Sequence, residues 1–238
     1  MKHLTNFLLV ISFFAISTAL YAAGEVKINT DLTVESDGTL VSSGNATVWN
    51  DINIYPDAFT SVGSTVPTQV RFKRDAGNSS QGVLLWSFSN STEQEVYFQV
   101  QLPHGYKEGT TLYPHVHWTT FSTDPTGSVV EWALEYTVMK MGGTFSTTTI
   151  ISGYTPVSVP TGAGQHTVTS LGTIASGTTP NNLEISTVLV CRLFRNSANN
   201  PLINAGVDRD TYAAGAGLLG FDIHYESDLA GSRSITTK

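Results

Sequence analysis

The residues best equipped for chemistry in this chain lie in the run Tyr113-Pro114-His115-Val116-His117-Trp118. In an extended strand, residues two apart point to the same side roughly 6.5 Å from each other, so His115 and His117 reach toward one metal ion from one face. A second run, Asp222-Ile223-His224-Tyr225-Glu226, places Asp222, His224 and Glu226 on one side of another strand. His115, His117 and His224 are therefore the candidate ligands of a divalent metal. The alternative is a set of surface or interface histidines hydrogen-bonded to carboxylates. Apart from that metal, no cofactor is expected.

Other catalytic arrangements are missing. The chain has no Gly-X-Ser-X-Gly elbow, no His-Glu-X-X-His, no phosphate loop and no Cys and His pair in a recognisable setting. The cupin pattern places a Glu three or four residues beyond a His-X-His pair, and here Thr120 and Phe121 stand at those places. Glu131 and Glu135 have the residue types of a glycosidase pair, but four residues along one strand separates them by roughly 13 Å, so they read as solvated glutamates. The expectation is a structural or adhesive protein that is not an enzyme; the alternatives are a metal-dependent jelly-roll enzyme using His115 and His117, or a carbohydrate-binding module. Trp49, Tyr55, Tyr106 and Tyr113 lie near strand ends or turns, where flat rings stack on sugars or fill a subunit contact. With Glu226 they form the candidate ligand or interface surface, and Trp86 and Trp118 read as core.

Strands must position these groups. Period-2 alternation puts Val96, Phe98, Val100 and Leu102 on one face, and Val130, Trp132, Leu134, Tyr136 and Val138 on another. It does the same for Leu219, Phe221, Ile223 and Tyr225. Further strands are expected over 82–88, 112–121, 147–151, 165–171 and 185–194, the last apolar on both parities and suited to a central strand covered on both sides. Turn clusters such as Asp75-Ala76-Gly77-Asn78 and Lys140-Met141-Gly142-Gly143 separate them. No segment beyond the N-terminus has a helical period over ten residues, which excludes the crossover helices of βαβ folds. The fold class is all-β, an antiparallel two-sheet sandwich of the jelly-roll kind.

The first 23 residues carry Lys2, an apolar run from Phe7 to Leu20, and small residues at Ala22 and Ala23, the three parts of a secretory signal peptide. The run is short for a membrane span, so no stable membrane anchor is expected after cleavage. Export to the periplasm, cell surface or medium follows. Residues 24–48 are small, polar and β-prone, an extended arm or an edge strand, and 49–238 form the sandwich domain. The mature chain holds 11 basic and 19 acidic residues, a balance of −8 that argues against nucleic acid, whose binding rests on clustered Lys and Arg. Cys191 is the only cysteine, so no internal disulfide forms, and its apolar setting makes it a buried hydrophobe.

The segments VWNDINIYPDAF, SQGVLLWSFSNSTEQEVYFQVQLPHGYKEGTTLYPHVHWT, VEWALEYTVMKMGGTF, STVLVCRLFRN and LLGFDIHYESDLAGSR occur in this order between Val48 and Arg233. They resemble an uncharacterised family of tailed-bacteriophage genomes, found beside tail-fibre and other virion genes. The resemblance implies a β-rich, virion-like or fibre-associated domain that assembles with copies of itself, and it carries no catalytic residues. A leader peptide departs from a virion protein, which assembles in the cytoplasm, and points to an exported relative.

Overall fold

A computed structural model describes residues 26–27, 30–36, 38–121, 127–157, 164–177, 182–203, 206, 209–231 and 234. The leader expected over residues 1–23 lies outside them. The strands are β1 (Val26–Lys27), β2 (Leu32–Val34), β3 (Leu40–Ser42), β4 (Val48–Ile54), β5 (Thr68–Phe72), β6 (Val83–Phe88) and β7 (Glu95–Gln101). They continue with β8 (Tyr113–Thr120), β9 (Val129–Met139), β10 (Thr149–Pro156), β11 (Thr167–Ser170), β12 (Val188–Arg195) and β13 (Ala216–Ser227).

The eight strands β6 to β13 make two antiparallel sheets, ordered β6-β13-β8-β11 and β7-β12-β9-β10. Counted from β6 as first, that is 1-8-3-6 facing 2-7-4-5, the double Greek key of a jelly roll. The alternation read from the sequence explains the closure. Val96, Phe98 and Val100 of β7 and Val116, Trp118, Phe221 and Ile223 of β8 and β13 are buried in one core. Rings meet across the sandwich, Phe98 against Phe221 at 4.8 Å and Phe88 against Trp132 at 4.9 Å between centroids. One long edge is sealed where β10 meets β11. Gly153 is required there, because a Cβ would stand 1.8 Å from the Ser170 carbonyl oxygen.

Two expectations about faces are corrected. Phe221, Ile223 and Tyr225 are buried together, but Leu219 is not among them. A bulge between Leu218 and Gly220 shifts the register, so that Leu218 takes the core position. The shift falls where β13 exchanges its neighbour on one side, pairing with β6 through Ala216–Leu218 and with β4 through Phe221–Ser227. In β12, Leu189, Cys191 and Leu193 point into the core while Val190 is exposed, so this central strand is covered on one side over most of its length. Its outer face is covered only near Phe194, which packs with Ala133 and Ile203. Burial of Cys191 pushes its thiol pKa up to about 12.

Where the sequence suggests an arm or an edge strand, β1, β2 and β3 form a three-stranded antiparallel sheet in the order β1-β2-β3. It is tied to the sandwich by a bridge between Val41 and Leu229 and by the Ser42 N–H donating to the Asp228 carbonyl at 2.7 Å.

Candidate functional site

Strand alternation decides which side chains reach the outer face of the β13–β8 sheet. Pro114, Val116 and Trp118 are buried, so Tyr113, His115 and His117 of β8 face outward. Beyond the bulge, Phe221, Ile223 and Tyr225 fill the core and Asp222, His224 and Glu226 face outward from β13. Register then fixes the rows. His115 stands opposite Asp222, which stands opposite Asn53 of β4. Tyr113, His224 and Asp51 form the next row, and Glu226 faces Trp49 in the one after.

Asp222 is the hub, with a side chain only 5% exposed. His224 Nε2 lies 3.0 Å and His117 Nε2 3.3 Å from its Oδ2, and His115 Nδ1 lies 3.6 Å from its Oδ1. Burial alone would raise the carboxyl pKa, but the contact with His115 and the proximity of His117 and His224 outweigh it and hold the group below the ordinary carboxylate value. The outer partners extend the cluster. His224 Nε2 also lies 3.2 Å from Asp51 Oδ1, and His117 Nδ1 is 2.8 Å from His166 Nε2. The rings of His115 and His224 are 4.5 Å apart. The structure thus brings the three predicted histidines onto one carboxylate. His115, His224 and Asp222 each contribute one ligating atom within 4.8 Å of the others.

Next to this cluster, Trp49 and Tyr113 meet edge to face at 5.3 Å, with Trp49 59% exposed. Glu226 is engaged by Lys107 Nζ at 2.7 Å. Tyr55 is exposed but lies six residues from Trp49 along the same extended segment, roughly 20 Å away, so the two do not share a surface. Tyr106 is corrected outright. It is fully buried, its hydroxyl donates to the Thr110 carbonyl, and its ring packs toward Tyr225, because the turn after β7 folds back onto the end of β13. Glu131 is corrected as well. It is fully buried and accepts from Asn196 Nδ2 at 2.6 Å, because the residues following β12 cover that face of β9. Glu135 accepts from Arg192 Nε at 2.8 Å rather than standing alone in solvent.

Asp51, Asn53 and His166 were missed. The alternation Trp49-Asn50-Asp51-Ile52-Asn53-Ile54 carried a usable signal, since it puts Trp49, Asp51 and Asn53 on one face. Nothing local to His166 marked it.

No protein-family model matches the chain, and no curated protein does. Among solved structures, the chain is similar to the CBM22-1–GH10 modules of Clostridium thermocellum xylanase 10B complexed with xylohexaose, at TM-score 0.36 and 12% identity, over 79% of this chain and 30% of that one. It is similar to TmCBM61 in complex with β-1,4-galactotriose at TM-score 0.26 and 15% identity, over 76% and 88% of the two chains. A third likeness is to infectious bursal disease virus, at TM-score 0.31 and 10% identity, over 86% and 41%. The chain spans less than a third of the length of the xylanase chain. At these scores the likenesses assign no activity to this chain, whose class is that of a jelly-roll β-sandwich.

Proposed function

We propose that the protein is an exported, non-enzymatic adhesive or structural β-sandwich of the phage-virion-like kind, which takes a glycan on the outer face around Trp49 and Tyr113. The observation that carries the reading is the Trp49–Tyr113 pair, in which the exposed indole of Trp49 at the start of β4 meets the half-buried ring of Tyr113 at the start of β8 on the outer face. Flat rings of this kind pack against sugar faces, and Asp51, Asn53, Glu226 and Lys107 supply donors and acceptors around them. A glycan array probed with the mature protein tests it, with Trp49→Ala expected to weaken the best hit at least tenfold while leaving the melting temperature unchanged. A protein that binds no glycan, or a variant that binds as well as the parent, overturns the reading.

Self-assembly is supported by a different surface. Val83 and Leu84 of β6 are exposed beside β5, the terminal strand of its sheet. The outer edge of a terminal strand is suited to pair with the same edge of a second copy. Light scattering on a size-exclusion column is expected to show an oligomer that Val83→Lys with Leu84→Lys dissociates; a strict monomer across micromolar concentrations excludes it.

A further inference from the structure

Asp222 is almost wholly buried, yet its contacts leave it incompletely satisfied. Its Oδ1 and the Nδ1 of His115 are both buried without a hydrogen-bond partner, standing 3.6 Å from each other. Buried polar atoms in folded proteins are ordinarily paired, and an exception at a cluster of ligating groups points to a further partner. The partner's chemistry follows from the donors. His115, His224 and Asp222 offer two imidazole nitrogens and a carboxylate oxygen that all lie within 4.8 Å of one another. Zinc-class ions bind such atoms at roughly 2.0–2.2 Å, which sets ligand atoms about 3–4 Å apart, so side-chain rotations of under about 1 Å complete the geometry.

We infer that His115, Asp222 and His224 hold one divalent transition-metal ion of the zinc class. Two imidazoles exclude calcium and magnesium, which take oxygen ligands, and suit zinc, copper, nickel or iron. All three ligands stand on paired strands, with His115 opposite Asp222 and His224 two residues along, so the register itself presets their spacing. The surrounding groups orient them. His117, paired with His166 at 2.8 Å, approaches Asp222 Oδ2, and Asp51 approaches His224 from β4. The carboxylates Asp222 and Asp51 supply negative charge on the side where the cation sits. His224, the most exposed of the three, leaves a coordination position facing solvent.

The inference is independent of glycan binding. The mature protein is equilibrated with zinc, dialysed, and assayed by elemental analysis and by calorimetric titration with zinc chloride. One zinc per chain is expected, with saturating zinc raising the melting temperature by roughly 5–10 °C. Asp222→Asn and the half-exposed His224→Gln each weaken zinc at least 100-fold, and His104→Gln and Trp49→Ala leave it unchanged. Cobalt binding gives a visible d–d spectrum that the first two variants abolish. Substoichiometric metal in the parent protein overturns the inference, as does zinc retained at full affinity by His224→Gln and Asp222→Asn. Loss of glycan binding with zinc retained bears on the glycan reading alone.

Discussion

Asp210 and Asp222 are both acids below one tenth exposed, and their partners differ in kind. Asp210 faces Arg195, a residue with no exposed surface, through two parallel bonds, Nε to Oδ2 at 2.8 Å and Nη2 to Oδ1 at 2.6 Å. The remaining guanidinium donors reach the carbonyls of Tyr212, Ala214 and Phe88, and Asp210 also accepts the Glu131 N–H. All five Arg195 donors are used, two of them in a planar, bidentate fork. Asp222 has three imidazoles around it, the nearest at 3.0 Å, and an oxygen without a hydrogen bond. A buried charge that serves the fold is closed by permanent, directional partners. One surrounded by exchangeable imidazoles on a solvent-facing sheet is arranged to admit something else.

Three measurements break or sharpen this contrast. The largest effect is expected from Asp210→Asn, which leaves the Arg195 charge buried without its counter-ion and costs about 3–5 kcal/mol in urea unfolding. A loss below about 1 kcal/mol would show that the Arg195 site tolerates water and is not closed. Asp222→Asn, measured in chelator so that no metal contributes, is expected to cost about 1–2 kcal/mol, the scale of charge-assisted hydrogen bonds to partly buried partners. A cost equal to that of Asp210→Asn would make both sites structural and end the contrast.

The smallest effect belongs to the outer face of the second sheet, where Arg192 binds Glu93, Glu95 and Glu135. Burial would raise the Glu95 pKa, but hydrogen bonds from Arg192, with Tyr97 and Thr65 helping, lower it below its ordinary value of 4.5. A depressed folded-state pKa means that the contribution is full above about pH 4.5 and is lost as pH falls through the folded value. Because the cluster is partly solvated, the loss should stay under about 1 kcal/mol. Unfolding midpoints taken from pH 6 to pH 3 should fall less steeply in Glu95→Gln than in the parent; parallel curves would remove Glu95 from the acid response.

Much of the fold was legible because alternation is a local property. Val96, Phe98 and Val100 had to share a face whatever strand lay beside them, and so did Val130, Trp132 and Leu134. Cys191 could be assigned to the core from its neighbours alone. The site was legible in part, as the histidines stand on strands with outward parity. Leu219 and Leu218 exchanged roles because a bulge depends on which partner strand is present, and β13 changes partner at that point. Glu131 read as solvated because nothing in its own strand announces that Asn196 will cover it, and Tyr106 read as surface because a turn residue's burial depends on what the turn folds against.

The amino-acid sequence by itself determined that this is a chain of antiparallel strands, which face of each is apolar, and which side chains have the chemistry to bind. Only the tertiary structure decided that His115 would stand opposite Asp222, more than a hundred residues away, that Asp51 would complete the row with His224, and that Arg195 would find Asp210. The division has a physical cause. The face of a side chain follows from the two-residue repeat of its own strand, whereas the neighbour across a sheet is chosen by the joint packing of both sheets.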